Sequence, residues 1–194
     1  MTLIKICGIQ KPGDALTAAQ AGADFIGLVF VPDRRRCLKV EEAEAIVSAL
    51  RTSTQDSTKI VGLFADQPLE EVNRLIDICN LDVAQLCGQE SLGYCSTVKV
   101  PVIKVVHILD TQPVSNVNAI VERIQQNGHL VALDRKVEGL QGGTGRSFNW
   151  NIAAEASHKG LEFVLAGGLT PNNVTQALEL VHPWGVDVSS GVET

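Results

Sequence analysis

Short apolar runs rich in β-branched residues recur along the chain and alternate with segments of helical spacing. We predict eight strands: Leu3–Cys7, Phe25–Phe30, Ile60–Phe64, Val83–Leu86, Val102–Val106, Leu130–Leu133, Phe163–Ala166 and Val186–Val188. The runs are mostly continuous rather than alternating, which is typical of parallel strands covered on both faces. We therefore expect an α/β fold.

Apolar residues at helical spacing mark three of the intervening helices. They are Leu69, Val72, Leu75, Ile76 and Cys79; Val117, Ile120, Val121 and Ile124; and Val174, Ala177, Leu178 and Val181. Such stripes predict helices that pack outside the sheet. We expect the third helix to begin after Thr170-Pro171, because threonine caps a first turn and proline suits the first helical position.

Two turns of small residues come near the end of the chain, each directly after a strand. Gly167-Gly168 follows the seventh run, and Ser189-Ser190-Gly191 follows the eighth. Such turns let backbone N–H groups approach an anion, and a phosphate site after the last two strands is typical of the (β/α)₈ (TIM) barrel. We predict one barrel domain, residues 1–194. An open doubly wound sheet has the same alternation, but no Gly-x-Gly-x-x-Gly fingerprint follows the first strand.

Composition narrows the choice of partner and compartment. The 194 residues carry a formal net charge of −6, which disfavours non-specific binding to nucleic acid, so we expect a small-molecule partner. The five cysteines are odd in number and lack Cys-x-x-Cys spacing, which favours reduced thiols and no metal. No run has the length of a signal peptide or of a membrane span, and we expect a cytoplasmic protein without a membrane partner.

Three side chains near strand ends are candidates for chemistry. Cys7 ends the first strand and is either a packed thiol or a base whose pKa is lowered by cations or helix dipoles. Asp134 ends the sixth strand and is either a turn residue or an acid, and the long loop 135–148 after it predicts a lid. Arg36, the last of three arginines, is either solvated or bound to a carboxylate through two hydrogen bonds.

Seven motifs together resemble those of phosphoribosylanthranilate isomerase, in order and in spacing. They are Lys5-Ile6-Cys7-Gly8, Val31-Pro32 through Arg36, Gln85-Leu86-Cys87-Gly88, Asp134, Gly142-Gly143-Thr144-Gly145, Ala166-Gly167-Gly168-Leu169-Thr170-Pro171-Asn172-Asn173-Val174 and Asp187-Val188-Ser189-Ser190-Gly191-Val192-Glu193. The resemblance implies the Amadori rearrangement of N-(5′-phosphoribosyl)anthranilate to 1-(2-carboxyphenylamino)-1-deoxyribulose 5-phosphate in tryptophan biosynthesis, without metal or organic cofactor. In style the motifs resemble those of fungal members.

The same resemblance implies a role for each site residue. Asp134 would be the general acid that protonates the furanose ring oxygen, and Cys7 the general base that removes the C2′ proton. Arg36 would hold the anthranilate carboxylate. Further contacts to the substrate would come from Gly143, Gly167, Gly168, Ser189, Ser190 and Gly191 around the phosphate and from Asp187 near the sugar hydroxyls. These roles require an aspartate whose pKa is raised and a thiol whose pKa is lowered.

Three features depart from the family pattern. Cys87 stands where histidine is usual, and Asn149 where aspartate is usual, although either residue can cap a helix. The chain ends at Thr194, where the family continues, so we expect a barrel without its final outer helix. A shortened chain, a further tail, a partner that covers the gap and a fused domain of a multifunctional polypeptide would each account for this. The phosphate turns also fit another sugar-phosphate isomerase or epimerase, or a catalytically impaired phosphate-ligand binding or scaffold domain.

Overall fold

The computed structural model describes residues 1–53, 57–135 and 149–193 and contains the eight expected strands. The strands are β1 (Leu3–Cys7), β2 (Phe25–Val29), β3 (Lys59–Phe64), β4 (Val83–Leu86), β5 (Val102–Ile108), β6 (Leu130–Arg135), β7 (Val164–Leu165) and β8 (Gly185–Val188). They follow one another in chain order around a closed barrel. The (β/α)₈ barrel is thereby confirmed, and the open doubly wound sheet is wrong.

Seven α-helices alternate with the strands in the described part of the chain. They are α1 (Pro12–Gln20), α2 (Val40–Thr52), α3 (Leu69–Ile78), α4 (Leu92–Cys95), α5 (Val114–Gln126), α6 (Trp150–His158) and α7 (Val174–Val181). Within residues 1–53, 57–135 and 149–193, β8 is followed by the 3₁₀ helix Ser190–Val192 and by no α-helix, as expected for this chain. None of the helices in these ranges has the length and apolarity needed to cross a membrane.

The chain divides into two compact units, each described here by itself. The N-terminal unit is residues 4–103, and the C-terminal unit combines residues 1–3 with residues 104–194. In the N-terminal unit β1 pairs with β2, β2 with β3 and β3 with β4, all in parallel. The predicted stripe on α3 is buried at Val72, Leu75 and Ile76, as its helical spacing requires.

In the C-terminal unit β6 pairs with β7 and β7 with β8, again in parallel. Residues 1–3 belong to this unit because the Leu3 N–H donates to the Trp184 carbonyl at 3.0 Å and the Thr2 hydroxyl to the Pro183 carbonyl at 3.5 Å.

On α5 the predicted stripe is wrong at Ile120, which is 39% exposed. Val117 and Val121 are buried and form the centre of the buried face of α5. Ile120 lies at one edge of this face, and Asn118, which is 2% exposed, is buried at the opposite edge.

The start of α7 also differs from the prediction, because the helix begins at Val174 and not after Thr170-Pro171. The Asn173 side chain binds the preceding turn on both sides. Its Oδ1 accepts from the Thr170 N–H at 2.8 Å, and its Nδ2 donates to the Gly168 carbonyl at 2.9 Å. The Asn173 and Val174 N–H groups also donate to the Thr170 carbonyl, at 3.2 and 3.0 Å, so residues 170–173 form a turn that leads into the helix.

Candidate active site

Cys7 is the last residue of β1 and carries a half-buried thiol that is not part of a disulfide. The two residues that follow it are fixed to the neighbouring strand, because the Gly8 and Ile9 N–H groups both donate to the Gly27 carbonyl, at 2.9 and 3.2 Å. The thiol therefore stands at a defined position at the carboxyl end of a parallel strand, which is where barrel enzymes place their reactive groups.

Gly27 on β2 lies directly beside Cys7 and leaves room for two side chains. The two residues are register partners. A Cβ atom added at Gly27 would lie 2.8 Å from Cys7 Sγ and 3.2 Å from Lys5 Nζ. Both atoms therefore lie close to one point, and they are within about 6 Å of each other. Lys5 is only 1% exposed, and the sequence analysis assigned it no role.

Arg36 lies in the segment after β2, and this segment returns to the strand that it leaves. Cys37 forms a parallel bridge with Val29, and the Leu38 N–H donates to the Val29 carbonyl at 2.9 Å. The half-buried Arg36 is thereby held near the carboxyl end of β2, the strand next to β1. Burial first, and then the charges of Asp33 and Glu42, raise the pKa of the neighbouring Cys37 thiol.

Cys87, which stands in the usual histidine position, follows β4. Its N–H donates to the Phe64 carbonyl at 2.8 Å, and its Sγ accepts a weak bond from Gln85 Nε2 at 3.7 Å. Gln85 is 6% exposed, and among the described residues its Oε1 has no hydrogen-bond partner. Gln85 thus offers a buried acceptor that the sequence analysis did not single out, although it stands in the quoted motif.

Asp134 lies in β6 of the C-terminal unit, directly beside a glycine of the first predicted phosphate turn. Its Oδ1 accepts from the Arg135 N–H at 2.8 Å. A Cβ atom at Gly167 would lie 2.7 Å from the same oxygen, and Gly167 has a φ of 87°. Only glycine satisfies both the backbone angle and this close approach. The candidate acid and the first turn are therefore neighbours in the structure.

The two predicted phosphate turns also contact each other. A Cβ atom at Gly191 would lie 1.9 Å from the Leu169 carbonyl oxygen and 3.1 Å from Thr170 Cα. Gly191 therefore packs against the backbone of the first turn, and the 3₁₀ helix Ser190–Val192 begins at this contact. Asp187 on β8 is buried, at 9% exposed, and Ser189 and Ser190 are half-buried.

Two further predictions from the sequence concern the residues that follow β6. Gly143 lies outside the described residues, and so does the lid expected over residues 135–148, apart from Arg135, which ends β6. Asn149 caps α6 as predicted, because its side chain accepts from the Asn151 N–H at 3.1 Å. Within the units, the structure brings Cys7 to Lys5, Asp134 to Gly167, and Gly191 to the turn that contains Gly168.

Lys5 is the main residue beside Cys7 that was not singled out from the sequence. A signal for it was present, because residues two apart in a strand share a face and a lysine within an apolar strand is unusual. Lys5 and Cys7 are such a pair. The contribution of Gly27 had no such signal, since the register that places it beside Cys7 is set by pairing between strands.

Comparison with known proteins identifies the family. A family model described as N-(5′-phosphoribosyl)anthranilate (PRA) isomerase matches residues 4–194. The chain is 40% identical to N-(5′-phosphoribosyl)anthranilate isomerase of Dehalococcoides mccartyi, with 100% of this chain and 89% of that protein covered. The similar relatives, such as this one and that of Geobacter metallireducens, are bacterial, which gives no support to a fungal character.

Solved structures agree with this assignment. The phosphoribosyl anthranilate isomerase of Thermus thermophilus matches with a TM-score of 0.84 and 34% identity, covering 99% of this chain and 89% of that one. Another isomerase structure, a complex with reduced 1-(o-carboxyphenylamino)-1-deoxyribulose 5-phosphate, matches with a TM-score of 0.82 and 30% identity, covering 100% and 90%. The chain therefore belongs to the N-(5′-phosphoribosyl)anthranilate isomerase family.

Proposed function

We propose that this protein isomerises N-(5′-phosphoribosyl)anthranilate to 1-(2-carboxyphenylamino)-1-deoxyribulose 5-phosphate, a step of tryptophan biosynthesis. Membership of the family over residues 4–194 is the observation that carries the proposal. It is supported by a similar isomerase that was solved with a reduced form of the product named here. The reaction needs only proton transfers, and the chain offers a carboxyl group and a thiol at strand ends for them.

In the first step Asp134 gives its proton to the ring oxygen of the ribose. The bond between C1′ and the ring oxygen breaks, and the nitrogen lone pair forms an iminium with C1′. The position of Asp134 supports this role, because its half-buried side chain lies at the end of β6, directly beside Gly167 of the first turn. The aspartate is left as the carboxylate.

In the second step the Cys7 thiolate removes the proton from C2′. The electron pair of the C–H bond forms a double bond between C2′ and C1′ and neutralises the iminium, which gives an enolamine. The enolamine then tautomerises to the ketone. Cys7 leaves this step as the thiol, and the proton balance of the enzyme is restored when Cys7 loses a proton and Asp134 gains one.

The remaining groups bind the two ends of the substrate. Arg36, held near the end of β2, would bind the anthranilate carboxylate with two parallel hydrogen bonds. Gly167, Gly168, Ser189, Ser190 and Gly191 would surround the phosphate, as would Gly143, and Asp187 would contact the sugar hydroxyls. The contact between Gly191 and Leu169 supports a joint phosphate site, because it holds the two turns together.

The partner in this proposal is the small phosphorylated substrate, and the net charge of −6 opposes binding to nucleic acid. A fused or partner domain beside β8 stays part of the proposal. We also propose a cytoplasmic location. All five cysteines lie among the described residues and are in the thiol form, outside any disulfide, which agrees with a reducing compartment.

The test is the loss of anthranilate fluorescence when enzyme is added to substrate. Cys7→Ser and Asp134→Asn should each lower kcat by at least about 10²-fold, the usual contribution of a general acid or base. Cys37→Ser and Asp77→Asn are the matched controls and should leave kcat unchanged, and thermal unfolding checks that every variant is folded. Turnover like that of the parent in Cys7→Ser or Asp134→Asn contradicts the mechanism. Tight binding of the reduced product by a parent that shows no turnover favours the scaffold function instead.

A further inference from the structure

We propose that Lys5 is a positioning residue of the reaction, whose buried ammonium group stabilises the thiolate of Cys7. The inference rests on the proposed function, in which Cys7 must be a thiolate before it can take the C2′ proton. The inference adds to that function a group, the Lys5 ammonium, that keeps the Cys7 thiol ionised at neutral pH.

The geometry places charge and thiol together. Lys5 and Cys7 lie two residues apart in β1, so their side chains project from the same face of the strand. Lys5 Nζ and Cys7 Sγ both lie beside the point where Gly27 would carry a Cβ, at 3.2 and 2.8 Å. The glycine on β2 therefore opens a recess that both groups enter.

The burial of Lys5 strengthens the argument. With 1% of its surface exposed, Lys5 is among the most completely buried large side chains of the protein. A buried ammonium is costly unless negative charge or acceptors lie near it, and the thiolate of Cys7 supplies such a charge at the place where the reaction needs one.

The expected effect follows from the distance. An unperturbed thiol titrates near pH 8.5 and is only a few per cent thiolate at pH 7. A unit positive charge at most about 6 Å away in a partly buried site shifts the ionisation equilibrium by about tenfold or more. Among the described residues, two other charged side chains are buried in strands, Lys104 in β5 and Asp187 in β8. Neither is changed in the variants below, so a difference between these variants does not come from their charges.

The first measurement is the rate of alkylation of Cys7 by iodoacetamide between pH 5 and pH 10, followed by mass spectrometry of the Cys7 peptide. In the parent, the midpoint for Cys7 should lie at least about one pH unit below the ordinary value of 8.5. Half-buried Cys87 in the same sample is the internal reference. An ordinary midpoint for Cys7 in the parent overturns the proposal without any variant.

The second measurement compares variants. Lys5→Met keeps the length of the side chain and removes its charge, so the Cys7 midpoint should rise by about one unit and alkylation at pH 7 should slow by about tenfold. Lys5→Arg should keep most of the parent profile. Lys59→Met, at an exposed lysine of β3, is the matched control and should change nothing. An unshifted profile in folded Lys5→Met overturns the proposal.

Turnover separates this proposal from the function on which it rests. In Lys5→Met, kcat at pH 7 should fall by about tenfold, KM should stay the same, and kcat should recover as the pH rises toward 9. A loss that no pH restores indicates a structural role for Lys5 and contradicts the inference. Absence of turnover in the parent contradicts the proposed function, whereas the alkylation profile still reports on the pair of Lys5 and Cys7.

Discussion

The glycines of the two units have opposite effects around the candidate functional groups. At the ends of β1 and β2 in the N-terminal unit, Gly27 makes space for the side chains of Cys7 and Lys5. In the C-terminal unit, Gly167 and Gly191 bring stretches of main chain close to a carboxylate and to a carbonyl. A Cβ at Gly27 would first meet the Cys7 sulfur at 2.8 Å, with Cys7 Cα at 3.1 Å and Lys5 Nζ at 3.2 Å, whereas a Cβ at Gly191 would meet backbone alone, from 1.9 Å outward.

This difference predicts whether a substitution in each unit first changes the chemistry or the stability. Side-chain ends move at little cost, so changes around Cys7 should alter chemistry before they alter stability. Backbone in contact with backbone cannot move without displacing a turn, so changes at the glycine turns should alter stability first. The following three predictions test this contrast.

Gly191→Ala should have the largest effect. The new Cβ would lie 1.9 Å from the Leu169 carbonyl oxygen, so one of the two turns must move. We expect the free energy of unfolding to fall by more than about 3 kcal/mol, measured by urea denaturation. Gly13→Ala is the matched control, because nothing lies within 4 Å of a Cβ at Gly13 in α1, and it should not destabilise the protein. Equal stability of the two variants would remove the contrast between the units.

Gly27→Ala should have a smaller effect on stability and a larger one on chemistry. The added methyl group displaces Cys7 Sγ and Lys5 Nζ, which costs about 1–2 kcal/mol of overpacking. Because the proposed base is displaced, we expect kcat to fall by about 10²-fold. Denaturation and steady-state kinetics on one preparation give both numbers. A large loss of stability with unchanged kcat would show that Gly27 is needed for packing alone.

Asp33→Asn should have the smallest effect and tests the role of charge near thiols in the N-terminal unit. The pKa of Cys37 is raised chiefly by burial, with Asp33 as the next cause. A raised pKa means less thiolate at a given pH, so removal of the Asp33 charge should lower the pKa of Cys37 and speed its alkylation at pH 8 by about twofold. Asparagine tolerates the φ of 59° at this position, and Asp14→Asn is the control. Slower alkylation in Asp33→Asn would contradict this sign.

Much of the fold followed from local sequence pattern. Continuous apolar runs such as Phe25–Val29 identified the strands, because strands covered on both faces need apolar residues at every position. Cys7 and Asp134 were found as candidates because a polar group after such a run stands where barrels build their sites. The small-residue turns after β7 and β8 favoured the closed barrel over the open sheet.

What the sequence did not show depends on contacts between distant residues. The recess that Lys5 and Cys7 share exists because strand register sets Gly27 opposite Cys7. The late start of α7 follows a turn in which the Asn173 side chain binds the Thr170 N–H and the Gly168 carbonyl, and neither bond could be foreseen from spacing. Ile120 is exposed because its place at the edge of the α5 stripe is decided by packing and not by spacing. Such features require the folded structure.

On the ribosome, Leu3 is synthesised long before Trp184, the residue whose carbonyl its N–H group binds. Residues 4–103 form a unit with their own contacts and can fold while translation continues, as N-terminal segments generally do. The first three residues must wait for their partners, because Pro183 and Trp184 leave the exit tunnel much later. A bulky tag fused to Met1 is therefore attached to a segment that docks late, and it should slow maturation more than a tag placed on an exposed loop.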